Sequence, residues 1–245
     1  MCQFKILISL LLCFCFSTEQ KEENWWHKKA NMMVKNQIEK RGVQDEGVLR
    51  VMRDTPRHLF IPENLKEMAY EDGPLPIGEG QTISQPYIVA LMTELLQLQG
   101  NERVLEVGTG SGYQAAVLSP LVKKVYSIEI IKTLAKSSAE KLKKMKYNNV
   151  IVKCGDGYNG WSEHAPYDRI IVTAAPSSIP QALIDQLHPG GKMVLPVGTY
   201  FQKLKLITKK KNNEVIENNI TPVRFVPMVK SNSIHSDSSK LQITK

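Results

Sequence analysis

Glycine stands at every second position in Gly108-Thr109-Gly110-Ser111-Gly112, directly after the apolar run Val104-Leu105-Glu106-Val107 and before Tyr113. Glycine lets the backbone take positive φ and come within contact distance of a ligand, and a helix opening after such a turn offers free N–H groups and the positive end of its dipole. That chemistry suits a nucleotide-like ligand. The spacing departs from the G-x-G-x-x-G of dinucleotide folds, whose third glycine or alanine would fall at Tyr113. Two carboxylates extend the pattern. Glu129 closes the next apolar run, where it could accept from both hydroxyls of a ribose or simply favour the start of the following helix. Asp156, in Cys154-Gly155-Asp156-Gly157, could accept from an adenine amino group, the flanking glycines leaving room for the ring, or could close an Asx-turn.

The glycine spacing with an acid at Glu106 resembles the cofactor loop of S-adenosylmethionine-dependent methyltransferases. On that resemblance Glu106, Gly108, Gly110, Gly112, Glu129, Asp156 and Gly157 form the cofactor-binding set. A second segment is more specific. Gly155-Asp156-Gly157-Tyr158-Asn159-Gly160-Trp161, followed by Ala165-Pro166-Tyr167-Asp168-Arg169-Ile170, resembles the signature of protein-L-isoaspartate O-methyltransferases. Gly80-Gln81-Thr82-Ile83-Ser84-Gln85-Pro86 is similar to that family's active-site loop, Val223-Arg224-Phe225-Val226-Pro227 to its segment beside the substrate, and Arg57-His58-Leu59-Phe60-Ile61-Pro62 to a further family stretch.

The resemblance implies methyl transfer to the free α-carboxylate of L-isoaspartyl residues in damaged proteins and peptides, with a succinimide leading on to aspartate. Such a carboxylate, with a pKa of about 3.5, is ionised at neutral pH and needs no general base. This agrees with a sequence that offers no catalytic His-Asp or Cys-His pairing. What remains is positioning and the exclusion of water. Ser84 is the candidate catalytic residue, donating to the carboxylate, although Ser84 or Gln85 could instead cap the helix that starts near Pro86. Gln81 and Thr82 are candidate further donors, and Val223 and Phe225 belong to a stretch, Val223 to Val226, that could pair with an extended substrate backbone. Tyr113 and Tyr158 are expected to pack rather than react.

These residues need a scaffold that gathers strand ends. From Arg103 onward, apolar runs alternate with helical spacing, which predicts an α/β, doubly wound, mostly parallel Rossmann-like sheet. Strands are expected at Val104 to Val107, Lys124 to Ile128, Val150 to Lys153, Arg169 to Thr173 and Lys192 to Pro196, the last after a Pro189-Gly190-Gly191 turn. Helices are expected at about Gly112 to Leu118, Ile131 to Met145 and Pro180 to Gln186. Leu204 to Thr208 and Glu214 to Asn219 alternate around a Lys-Asn turn and predict a C-terminal antiparallel strand pair. Residues 24–69 carry i, i+3, i+4 apolar spacing and predict a helical cap. Gly73 to Pro86 reads as an ordered loop without an element, and a helix is expected over Pro86 to Leu98.

The chain has 245 residues, 42% of them hydrophobic, enough for one substantial core. Residues 24–228 are therefore expected to form one methyltransferase domain, with 229–245 a polar, flexible tail. The net charge of +8 is diffuse: Lys132, Lys136, Lys141, Lys143, Lys144 and Lys146 crowd one helix, Lys209 to Lys211 one turn, and no aromatic residues interleave with them. That reads as solvated surface rather than a nucleic-acid patch. Lys5 and the apolar run from Ile6 to Phe16 read as a signal peptide or membrane leader over residues 1–17, too short to span a bilayer comfortably. Export, to the periplasm for instance, or a membrane tether is the expectation from this leader, against the cytoplasmic default of the family. Cys2, Cys13 and Cys15 lie in the leader, so a processed chain would keep only Cys154 and no internal disulfide. The histidines (His27, His58, His164, His188, His235) are scattered without ligand spacing, so no metal is expected. A processed chain is expected to act as a monomer on isoaspartyl-containing proteins and peptides. Two rivals share the fold. A nucleic-acid base methyltransferase acting on exocyclic amines would carry Asn/Asp-Pro-Pro-aromatic where this chain has Thr173-Ala174-Ala175-Pro176, and a non-catalytic peptide-binding module would not need Glu106, Glu129, Asp156 and Ser84 together.

Overall fold

The computed structural model of the chain describes residues 25–231. The leader expected at 1–17 and the tail beyond Ser231 lie outside the described residues. The described residues begin with helices α1 (residues 25–33) and α2 (Glu46–Asp54), the hairpin β1 (Leu75–Gly78) and β2 (Gln81–Ile83), and helix α3 (Pro86–Leu95). Strands β3 (Arg103–Val107), β4 (Lys124–Glu129), β5 (Val150–Cys154), β6 (Tyr167–Val172) and β7 (Leu187–Val197) follow, alternating with α4 (Tyr113–Leu118), α5 (Lys132–Lys144) and α6 (Gln181–Gln186). β8 (Gln202–Lys209) and β9 (Val215–Val223) close the sheet, whose order is β5-β4-β3-β6-β7-β8-β9. The first five of these run parallel and the last two join antiparallel, as the sequence pattern predicts.

A parallel sheet covered on both faces needs apolar residues on both, which is why its strands read as unbroken apolar runs. Val104, Val125, Ile171 and Val194 face the N-terminal helices and α4, while Leu105, Val107, Ile170 and Val172 face the layer that contains Trp161 and Leu183. The helical cap shares the first of these cores: Ala30, Met33 and Val34 with Val48, Leu49 and Met52 are buried against it. Helix α2 is started by Asp45, whose carboxylate accepts the Val48 N–H at 2.9 Å.

Several expectations change, strand β9 for one running on to Val223 rather than ending at Asn219. The loop expected over Gly73 to Pro86 contains the β1–β2 hairpin, with Leu75 opposite Ile83 and Pro76 opposite Thr82. Its turn runs through Gly78, Glu79 and Gly80, all at positive φ, so the glycines that a tight turn requires mask the short strands beside them. Strand β7 starts at Leu187 rather than Lys192, because the register shifts between the Tyr167–Leu187 and Arg169–Lys192 pairs and takes Pro189-Gly190-Gly191 into the strand. Helix α3 stops at Leu95 rather than Leu98, where Gln97 turns to φ +52°.

Candidate active site

The order of the sheet sets the position of the site. β4 and β5 lie on one side of β3 and β6 on the other, so the connections leaving β3 and β6 diverge and open a crevice over their carboxyl ends. Gly108 takes φ +100°, and a Cβ there would lie 2.4 Å from Thr173 Oγ1. Thr173 Oγ1 in turn donates to the Gly108 carbonyl at 2.6 Å. Gly157 is constrained from the opposite side, since a Cβ there would lie 2.3 Å from Val107 Cγ1. Glu129, at the end of β4, accepts the Gly110 N–H at 2.8 Å on one oxygen and the Ile131 N–H at 2.9 Å on the other. Each carboxylate oxygen keeps a further lone pair for a ligand hydroxyl. The resulting cleft, open to solvent with about 610 Å³ of space, is lined by Gln81, Thr82, Gly108, Gly110, Glu129 and Gly157 among others.

The other residues expected in the cofactor set take different places. Glu106 is fully buried under the loop. Ser127 donates to its Oε2 while Oε1 has no hydrogen-bond partner. Burial pushes its carboxyl up to about 8, the Ser127 bond opposing and the nearby Glu129 adding to the shift. Gly112, at φ +88°, precedes α4, and a Cβ there would sit 3.2 Å from Leu142 of α5, so its glycine permits helix packing. The Asp156 carboxylate accepts the Tyr158 N–H at 2.9 Å and the Ser231 N–H at 3.0 Å. The Asx-turn weighed for Asp156 is thus present beside the cleft residue Gly157. Tyr113 packs edge-on against Phe60, and Tyr158 donates its hydroxyl to the Met228 carbonyl at 3.2 Å, tying the C-terminal segment to the wall of the cleft.

A second cleft opens on the other side of β2, lined by Arg41, Thr82, Ser84, Tyr87, Val223 and Phe225 among others. The two clefts share Thr82, Thr173 and Val226. Ser84 Oγ makes no hydrogen bond among the described residues, and no side chain caps α3. The alternative role of Ser84 or Gln85 as a helix cap is therefore not the one seen: Gln85 donates instead to Asp72 Oδ1 at 2.8 Å. Thr82 stands at the junction, but Gln81 faces the first cleft rather than the second. The edge expected over Val223 to Val226 is narrower than its sequence suggests. The Phe225 N–H donates to Gln202 Oε1 at 2.6 Å, the Gln202 amide returns a bond to the Phe225 carbonyl at 3.0 Å, and the Val226 carbonyl accepts the Ala175 N–H at 2.8 Å. Thr173 and Arg41 were not singled out as site residues from the sequence. Thr173 directly follows β6, the same kind of strand-end position that marks Glu129, whereas Arg41 comes from the cap and only the tertiary fold brings it to the cleft.

Among the described residues no group of three or more His, Cys, Asp and Glu side chains could hold a metal ion. The two clefts meet at Thr82, Thr173 and Val226, one lined by Gly108, Gly110, Gly157 and Glu129 and the other by Ser84, Tyr87 and residues 223–225.

Comparison with known proteins agrees with this architecture. Residues 28–233 match the family model of protein-L-isoaspartate(D-aspartate) O-methyltransferase. The chain is 54% identical over 198 residues to protein-L-isoaspartate O-methyltransferase 2 of Shewanella sediminis, covering 80% of this chain and 81% of the relative. It is 56% identical over 187 residues to protein-L-isoaspartate O-methyltransferase 1 of Cupriavidus necator, covering 76% and 72%. Among solved structures, a protein-L-isoaspartate O-methyltransferase from Plasmodium falciparum in complex with S-adenosyl-L-homocysteine superposes with TM-score 0.71 at 30% identity, over 82% of this chain and 98% of that one. The chain belongs to the protein-L-isoaspartate(D-aspartate) O-methyltransferase family.

Proposed function

We propose that this chain repairs damaged polypeptides by transferring the methyl group of S-adenosylmethionine to the free α-carboxylate of L-isoaspartyl residues. The observation that carries the reading is the meeting of the two clefts at Thr82, Thr173 and Val226, with the Ser84 hydroxyl on the acceptor side unengaged among the described residues.

The first cleft fits the donor by its own constraints. Gly108 and Gly157 leave the space that a Cβ would take from the cleft wall, and Glu129 presents acceptors beside Gly110. Gly108, Gly110, Gly157 and Glu129 hold the nucleoside part, with Asp156 at the adenine end. Glu106 and Gly112 act from beneath, by supporting the loop. S-adenosylmethionine, when bound, supplies an electrophilic methyl group on a positively charged sulfur. The remaining work is done by the chain. The acceptor carboxylate, with a pKa of about 3.5, arrives ionised, so no residue need remove a proton. Ser84 donates one hydrogen bond to it, which orients the carboxylate and leaves its second oxygen free to attack in line. Thr82 adds a donor at the junction. Ile128, Val226 and Met228 line the first cleft and keep water from the reacting atoms. Val223 and the Arg224 backbone receive the extended substrate chain. The methyl ester formed is an activated acyl group: the neighbouring peptide nitrogen displaces methanol to give a succinimide, and hydrolysis of that ring yields aspartate in part.

Residues 24–228 work as one methyltransferase unit and the chain acts as a monomer on isoaspartyl-containing proteins, without nucleic acid. Residues 1–17 direct it to export or to a membrane tether, a reading that mass spectrometry of the native N-terminus would overturn by finding intact Met1 on soluble cytoplasmic protein. The activity is tested with labelled S-adenosylmethionine, an isoaspartyl peptide and its aspartyl twin. Label in the isoaspartyl peptide alone supports the reading, and equal label in both, or none in either, overturns it.

A further inference from the structure

The acceptor cleft has two charged residues in its lining, and both are arginines, Arg41 and Arg224. They differ in what their charge already does. Arg41 pairs with Asp72 at 3.1 Å, and its Cζ lies over the Tyr87 ring, 3.6 Å from the centroid. Asp72 is itself held by the Gln85 amide. The Arg41 charge is therefore compensated within the protein. Arg224 is exposed and has no ion-pair or hydrogen-bond partner among the described residues.

The chain that carries Arg224 is nevertheless held in place. On one side Val223 pairs with Gln202 in the β8–β9 ladder, and on the other the Gln202 side chain grips both main-chain polar groups of Phe225. A free cation is thus presented from a fixed strand end in a cleft whose lining contains no acid. A polypeptide laid along this edge places its side chains opposite those of the strand end, where opposite charges attract and like charges repel. Arg224 lines the acceptor cleft but not the donor cleft, whereas methyl transfer takes place where the two meet. Its partner is therefore a side chain flanking the isoaspartyl residue, and not the carboxylate that is methylated.

We propose that Arg224 is a specificity-determining residue that favours damaged sites with an aspartate or glutamate adjacent to the isoaspartyl residue. The proposal rests on the isoaspartyl reading of the cleft. An exposed pair of this kind favours the acidic substrate by about two- to fivefold in kcat/KM, and the preference fades as salt rises.

The test uses three isoaspartyl peptides that differ only in carrying Glu, Gln or Lys at the neighbouring position, assayed with the full chain and with its Arg224→Gln and Arg224→Glu variants. The quantity read is the ratio of kcat/KM between peptides within each enzyme, so a general loss of activity in a variant does not alter the outcome. The expected order is Glu above Gln above Lys for the natural chain, a ratio near one for Arg224→Gln, and a reversal in favour of Lys for Arg224→Glu. A flat ratio in the natural chain, or an acidic preference that survives both substitutions, overturns the proposal. Loss of turnover in Arg224→Gln by the same factor for all three peptides, with the Glu preference intact, would also overturn it, by placing Arg224 on the reacting carboxylate. Failure of the underlying reading is distinguishable, since then none of the three peptides would be methylated by the natural chain.

Discussion

Thr173 Oγ1 donates to the Gly108 carbonyl at 2.6 Å and occupies the space that a Cβ on residue 108 would need. The first residue after β6 and the first after β3 therefore lock each other, and both line the first cleft.

Gly108→Ala is expected to lose S-adenosylmethionine affinity and stability together, because alanine meets Thr173 while sitting at φ +100°. The backbone strain alone costs about 1–3 kcal/mol. Thr173→Ala in the Gly108→Ala background should recover the clash but not the strain. Titration calorimetry and thermal unfolding of the two single variants and the double variant would show this as a partial rescue. A double variant no better than Gly108→Ala would mean that the two residues do not act on each other.

Ser84→Ala is expected to lower kcat by about ten- to a hundredfold, the value of a hydrogen bond to a charged group, with KM for S-adenosylmethionine unchanged. Stability should move by less than about 0.5 kcal/mol, since the hydroxyl makes no hydrogen bond among the described residues. Steady-state kinetics with an isoaspartyl peptide, beside a melting curve, separate these effects. Full turnover in the variant would remove Ser84 from the reaction.

Glu106 predicts a pH dependence of stability in the absence of ligand. Burial raises its carboxyl from 4.5 to about 8 in the folded chain. The folded state then holds a proton that the unfolded state releases, so stability declines as pH rises between these two values and is level outside them. Glu106→Gln removes this decline while leaving an acceptor for Ser127. The stability difference between the variant and the natural chain should grow in the variant's favour from pH 5 to pH 8, by about 1.4 kcal/mol per pH unit at most and a few kcal/mol in all. Denaturant unfolding across that range measures it, and a difference independent of pH would contradict the assignment.

The parallel strands were legible in the sequence because each is covered on both faces and so appears as an apolar run, and Gly108, Gly110 and Glu129 were legible because strand ends of such a sheet gather at one crevice. The β1–β2 hairpin was not, since Gly78 and Gly80 serve a turn whose strands are only three or four residues long. Glu106 and Gly112 share a motif with the cleft residues, but strand alternation and helix packing turn them beneath the loop, which a linear motif does not distinguish. The loss of Phe225 as a free edge was hidden as well, because Gln202 lies a whole strand away in sequence. Arg41 reaches the acceptor cleft only through the packing of the cap, and no local pattern marks it.

The clefts joined at Thr82, Thr173 and Val226 start the conversion of isoaspartyl residues back to aspartyl ones. The most direct measurement follows an isoaspartyl peptide and its aspartyl twin by mass spectrometry during incubation with the full chain and S-adenosylmethionine. The expected result is a methyl ester on the isoaspartyl peptide, its replacement by a succinimide and a rising share of the aspartyl form, with the twin unchanged. Methylation of the twin at the same rate, or an isoaspartyl peptide that persists without ester, would contradict it.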